Sequence, residues 1–145
     1  MRALLPAVLL VALTSTGFAQ QQPRPYTEGP VVVMSYIRTK PGMFNKYMEY
    51  LDGNYKRLLD AQKKSGYVVD YGVYSSLAAT ESDWDVLLTV TYKNMAALDS
   101  LTDRTEAAAS SVLHQTREQA GEAFGARGSM RDPVGSRIVR QLILR

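Results

Sequence analysis

Between Val31 and Leu51 the chain changes its hydrophobic period. VVVMSYIR (Val31 to Arg38) is β-branched, alternates in steps of two and is bounded by Pro30 and Pro41. That pattern predicts a first strand, and Pro41-Gly42 turns the chain after it. From Phe44 the apolar positions run Phe44, Tyr47, Met48, Leu51, Tyr55, Leu58, Leu59, the spacing of one helical face. The other face carries Lys46, Glu49, Asp52, Lys56, Asp60, Lys63 and Lys64. Asp52–Lys56 and Asp60–Lys64 are acid-before-base pairs four apart, each worth a few tenths of a kcal/mol. Gly53 weakens the helix locally and Ser65-Gly66 ends it.

Beyond the helix, YVVDYGVYSSL (Tyr67 to Leu77) reads as a second strand and DWDVLLTVTY (Asp83 to Tyr92) as a third, joined by a polar connection. A second helix is expected from an N-cap at Asn94, with Leu98, Leu101, Ala108, Val112 and Leu113 on its inward stripe. It ends in the glycines of GEAFGARGSMRDP (Gly121 to Pro133), and Val134 to Leu144 makes a fourth strand. The order β-α-β-β-α-β is that of an α+β, ferredoxin-like fold: a four-stranded antiparallel sheet with both helices on one face.

Two helices leave the other face of the sheet open, and alternation sorts the residues. The more apolar phase, containing Val31, Val33, Ile37, Trp84, Val86, Leu88 and Val90, is assigned to the helices. Met34, Tyr36, Arg38, Asp70, Tyr74, Leu87, Thr89 and Thr91 then fall on the open face. This mixture of large and charged groups suits a partly enclosed cavity or a subunit contact better than a wet surface. In the fourth strand Arg137 and Gln141 share one phase and Arg140 takes the other, so its facing is open.

The remainder of the chain adds processing signals. MRALLPAVLLVALTSTGFA has one positive charge at Arg2, an apolar run from Ala3 to Leu13 and small residues Gly17 and Ala19, which reads as a signal peptide over residues 1–19. The apolar run falls short of the roughly 20 residues that a spanning helix needs, and no stable membrane span is expected after cleavage. Residues 20–30, with three glutamines and Pro23, Pro25 and Pro30, read as a flexible linker, leaving residues 31–145 as a single domain. Export to the periplasm or the extracellular space follows. With no cysteine, the fold holds without disulfides and has no thiol chemistry.

The formal charge is +3, or +2 once Arg2 is removed, with bases and acids interleaved; no nucleic-acid partner is indicated. Only the tail is biased, where Arg127, Arg131, Arg137, Arg140 and Arg145 face Asp132 alone. A charge-protected strand edge and an anion contact both explain that bias.

The β-α-β-β-α-β order, the Arg38-x-Lys40-Pro41-Gly42 strand end before a tyrosine-rich helix, and WDVLLTVTYKNMAALD (Trp84 to Asp99) resemble the dimeric α/β-barrel superfamily. That group includes antibiotic-biosynthesis-monooxygenase-like and NIPSNAP-like domains. The resemblance implies a homodimer in which two sheets pair through their open faces, with a small-molecule cavity in each half. Members include cofactor-free oxygenases, haem-degrading enzymes, haem peroxidases and isomerases. The haem-degrading pattern of an Asn on the first strand, a Trp on the third and a His early in the second helix is matched only by Trp84. His114 sits deep in the second helix, and those roles are not transferred.

The candidate ligand-binding residues are Tyr36, Arg38, Asp70 and Tyr74. Arg38 is placed to hold a carboxylate, phenolate or enolate oxygen, with Asp70 as a base in an apolar pocket that raises its pKa; an ordinary ion pair at a subunit interface is the simpler explanation of both. Of the nine tyrosines, Tyr47 and Tyr55 belong to the helix stripe and Tyr67, Tyr71 and Tyr92 to the helix-facing sheet phase. His114, the only histidine, has polar neighbours one turn away and reads as exposed; with Glu118 it makes a weak metal motif. GEAFGARGSMRDP follows a helix instead of preceding one, which argues against a phosphate cradle. It reads as a mobile loop, or as a lid whose Arg127 or Arg131 reaches an anionic ligand.

No catalytic residue, metal or cofactor is assigned. Two main functions follow: an exported homodimer binding a small apolar or aromatic ligand in the barrel cavity, with cofactor-free monooxygenase-like activity as its chemistry, or a non-catalytic dimeric interaction protein of the cell envelope; haem binding through His114 is a third, weaker option.

Overall fold

The computed structural model describes residues 23–77, 80 and 82–145, so the expected signal peptide lies outside the described residues. β1 (Tyr26–Thr39) leads to α1 (Phe44–Tyr50), which continues through a wide turn at Leu51–Tyr55 into α2 (Lys56–Lys64). β2 (Asp70–Ser75), β3 (Val86–Tyr92), α3 (Leu101–Leu113), α4 (Arg117–Ala126) and β4 (Arg131–Leu144) complete the chain. The sheet order is β2-β3-β1-β4, with all three pairings antiparallel. This is the ferredoxin-like arrangement expected from the element order.

Registers fix which residues share a face. Val31, Val33, Ser35 and Ile37 lie opposite Tyr92, Val90, Leu88 and Val86. Val31, Ile37, Val86 and Tyr92 are buried, so this is the helix-covered side, as the alternation predicts. Ile37 and Val86 pack with Tyr47 and Leu51 of the first helix; Tyr92 packs with Val68 and Leu59. On the fourth strand Arg140 pairs with Val31 and faces the helices, whereas Arg137 and Val139 pair with Met34 and Val32 on the open side.

Several boundaries differ from the sequence reading, each for a reason that local pattern does not carry. β1 begins at Tyr26, so residues 26–30 are strand and not linker: Tyr26, Thr27 and Glu28 pair with Leu144, Ile143 and Leu142, and Glu28 is salt-bridged to Arg140. Pro30 is accommodated because a register shift falls between Glu28 and Val31. β4 starts three residues early, at Arg131, across a second shift opposite Tyr36 and Ile37. Trp84, assigned to the helix-facing phase, precedes β3, and its ring packs on Tyr36 of the open face at 5.4 Å between centroids.

The expected second helix is broken twice. Asn94 does cap, accepting from the Ala97 amide at 3.1 Å, but the turn it starts is only Met95–Leu98. Ser100 then takes a left-handed φ of 55° before α3. His114, exposed, ends α3 in the same conformation at φ 54°. Thr116 and Gln119 form a reciprocal capping box that starts α4. The glycine-rich segment is therefore not a loop: it is the end of α4, a short turn at Arg127–Ser129 and the first residues of β4.

The first helix holds its stripe by widening. Tyr47, Leu51, Tyr55 and Leu59 recur every four residues, and at about 100° per residue each step overshoots one turn by about 40°. A wide turn at Leu51–Tyr55, closed by the Lys56 amide on the Leu51 carbonyl, absorbs that drift and keeps Tyr55 facing inward. Asp52 pairs with Lys56 at 3.4 Å as expected; Asp60 instead accepts from the Tyr71 hydroxyl at 2.6 Å, tying α2 to β2.

Candidate functional site

The four residues proposed from alternation do not form one site. Tyr36 and Tyr74 lie in one row on either side of Leu87, which pairs with both. Asp70 belongs to the row of Thr91 and Val32, at the other end of the sheet from Arg38. It is exposed, and the Lys63 ammonium at 2.8 Å holds its carboxyl below the usual carboxylate range. A base working at neutral pH needs the opposite shift. Arg38 donates to the Ser82 carbonyl at 3.4 Å and approaches Asp132 at 3.9 Å.

Concavities do flank two of these residues on the open side. One of about 550 Å³ lies beside Tyr36, Trp84 and Arg137, and one of about 520 Å³ lies beside Arg38, Lys40 and Asp85. Asp85 is occupied locally, accepting from the Thr39 amide at 2.9 Å and from the Thr39 hydroxyl.

The aromatic lining gathers on the other side of the sheet. A cleft of about 550 Å³ has Val33, Ser35, Leu88 and Val90 as its floor and Tyr55, Phe124 and Arg127 as walls, with Arg131 also lining it. It is contiguous with a cavity of about 540 Å³ among the helices, since Tyr55, Phe124 and Arg127 line both. Volumes of this size are those of small-molecule sites. The helices cover the sheet unevenly: Ser136 and Ile138, on the helix side of β4, are exposed, so the cleft opens toward that edge. A smaller cavity of about 330 Å³ lies between α2 and α3, bordered by Tyr67 and Arg104.

Each cleft residue is placed by a local feature. The wide turn presents Tyr55, whose pKa burial pushes well above the ordinary tyrosine range, aided by the neighbouring phenols of Tyr47, Tyr92 and Tyr71. Its hydroxyl therefore stays protonated and acts as a hydrogen-bond donor, not a base. The Thr116 capping box fixes the start of α4, whose last turn carries Phe124. Arg127 follows directly and Arg131 opens β4 opposite Thr39.

The two arginines lie on aromatic rings. The Arg127 guanidinium lies 4.6 Å from the Phe124 centroid and 5.5 Å from that of Tyr50; Arg131 lies 5.7 Å from that of Tyr47. Tyr47 and Tyr50 are themselves stacked at 6.2 Å and 7°. Burial raises the Tyr47 pKa, while the Arg131 and Arg127 charges oppose it. Among the described residues the buried side-chain nitrogens without a hydrogen-bond partner are Arg127 Nε and Arg131 Nε. Of the carboxylates, Glu106 lines the inter-helix cavity and is held by Arg117 at 3.0 Å.

Sequence reasoning singled out Arg127 and Arg131 but placed them on a loop at a barrel mouth, and it assigned Tyr55 to the core stripe. The four-residue spacing of Tyr47, Leu51, Tyr55 and Leu59 was the available signal for the wide turn. Phe124 had no signal, since its helix was read as loop.

No group of three or more potential metal ligands is found among the described residues. No described helix is long and apolar enough to cross a membrane.

No family profile matches this chain, and no curated protein matches its sequence. Solved structures match its fold. HapK from Hahella chejuensis superposes with a TM-score of 0.53 at 14% identity, over 77% of this chain and 91% of HapK. A dimeric ferredoxin-like protein from an uncultured marine organism superposes with a TM-score of 0.51 at 10% identity, over 82% of this chain and 98% of that protein. The fold of this chain is thus ferredoxin-like, as in these two structures.

Proposed function

We propose that this protein is an exported homodimer that binds a small, largely aromatic molecule in the cleft between its sheet and helices, and uses the open sheet face to pair with a second copy. The observation that carries the ligand site is the joint lining of two contiguous cavities by Tyr55, Phe124 and Arg127. Rings and an aliphatic sheet floor supply apolar area, and the Tyr55 hydroxyl and the guanidinium groups supply orientation, the usual composition of a small-molecule site.

The dimer reading is supported by the open face itself. Val32, Met34, Tyr36 and Leu87 lie side by side there, half-buried in the single chain, and Val139 is 39% exposed. A contiguous patch of this kind favours a partner surface over bulk water. The likeness to a dimeric ferredoxin-like structure points the same way. On this reading Tyr36, Arg38 and Tyr74 contribute to the subunit contact, and the ligand is held behind the sheet. Export rests on the amino-terminal sequence pattern.

Binding is the activity that the lining residues support; oxygenation without a cofactor is the chemistry added by the family resemblance, acting on a ligand whose own ring or enol ionises. Native mass spectrometry of the protein recovered from the exported fraction tests the proposal. A dimer carrying one additional small molecule per protomer, lost in Phe124→Ala, is expected. A monomer at micromolar concentration, or a bound mass indifferent to Phe124→Ala, would contradict it.

A further inference from the structure

The arginines of the cleft carry the site further than its aromatic lining. Arg131 is only 9% exposed, yet neither it nor Arg127 forms an ion pair among the described residues. The Nε of each is buried and bonded to nothing. An ionised group withdrawn from water with no counter-charge is unfavourable, and two of the same sign lining one cleft repel each other. Stacking on Tyr47, Tyr50 and Phe124 offsets part of that cost, but a ring face is not a hydrogen-bond acceptor of carboxylate strength.

Resting on the cleft as the ligand site, we infer that the ligand is an aromatic anion, a carboxylate, phenolate or enolate, whose charged oxygen is held by Arg127 and Arg131 while its ring lies among Tyr55 and Phe124. The anion supplies what the described residues lack, a negative charge for both guanidiniums, and meets them through their terminal N–H groups, since the Nε atoms are enclosed by protein. The protonated Tyr55 hydroxyl is a further donor in the same cleft. The apolar Val33, Leu88 and Val90 floor offers the anion no competing hydrogen bonds. These arginines thus act in ligand recognition and cost the empty protein stability, an exchange common at binding sites.

That exchange gives the inference a readout independent of binding. Arg131→Met keeps the length of the side chain and removes the unpaired charge, so the unliganded variant is expected to melt a few degrees higher than the wild type. Isothermal titration with 2-naphthoate and its neutral counterpart 2-naphthamide then reads the charge directly. The wild type is expected to bind the carboxylate at least about tenfold more tightly. Arg131→Met and Arg127→Gln should each bring the carboxylate down to the level of the amide. Lys64→Gln, on the solvent face of α2, should change neither affinity.

Equal affinity for the two probes, with both weakened by Phe124→Ala, would overturn the anion assignment and leave the cleft standing. Indifference of both probes to Phe124→Ala, or no binding of either, would remove the cleft as the site and the anion with it. A destabilised Arg131→Met that retains the preference for the carboxylate would make Arg131 a packing residue only.

Discussion

Leu87→Glu is expected to leave the protomer folded and to abolish the proposed dimer. Leu87 occupies the middle row of the open sheet face, paired with Tyr36 on one side and Tyr74 on the other. In a single chain a glutamate there points to water, and β3 keeps its ladders to β1 and β2, so the far-ultraviolet circular dichroism should not change. In a face-to-face pair of sheets the same carboxylate is drawn out of solvent next to its symmetry copy. Burying an unpaired charge costs several kcal/mol, and each 1.4 kcal/mol is about a tenfold loss in association. A weakening of two or more orders of magnitude should therefore appear by analytical ultracentrifugation as a monomer at micromolar concentration. Retention of the wild-type sedimentation coefficient would show that the copies meet elsewhere.

The second large effect lies in the core. Tyr47 is 1% exposed and packs against Ile37, Leu51 and Val86, with its ring on Tyr50 and beneath Arg131. Tyr47→Ala removes a whole aromatic ring from a close-packed cluster, a change that costs about 3–5 kcal/mol. Single domains are stable by about 5–15 kcal/mol, so the variant should lose a large share of that margin. Urea unfolding should show a much lower midpoint for Tyr47→Ala and a modest change for Tyr47→Phe, which keeps the ring. A midpoint near the wild-type value in Tyr47→Ala would mean that the ring is not central to the core.

How much of this was legible in the sequence depends on the range over which the determining interaction acts. The β-α-β-β-α-β order, the phases within Val31–Ile37, Asp70–Ser75 and Val86–Tyr92, the helix start at Phe44 and its stop at Ser65-Gly66 are set by neighbours a few residues apart. They agree with the structure. The early start of β1 and of β4 is set by pairing between Tyr26–Thr39 and Arg131–Leu144, partners at opposite ends of the chain, and two register shifts conceal it from alternation. Trp84 escaped its assigned face because the strand begins only at Val86, three residues later than the pattern predicts.

The helix-side cleft was legible in its residue types and not in its location. Alternation treats the helix-facing phase as sealed and looks for chemistry on the other side, hence Tyr36, Arg38, Asp70 and Tyr74. On the helix side Phe124 lines a cleft over the β1–β4 half of the sheet while Ser136 and Ile138 stay uncovered, and no local pattern encodes that arrangement. The bias toward arginine after Arg127 was visible; that two of those side chains are buried without partners required the fold.

The central claim is that the ligand lies behind the sheet and the second copy in front of it. Two-dimensional methyl and aromatic NMR of the protein titrated with 2-naphthoate tests that division most directly. Shifts concentrated at Val33, Leu88, Val90, Tyr55 and Phe124, with Val32, Met34 and Leu87 unmoved, are the predicted result. Shifts concentrated at Val32, Met34, Tyr36 and Leu87 would place the ligand on the open face and contradict the account.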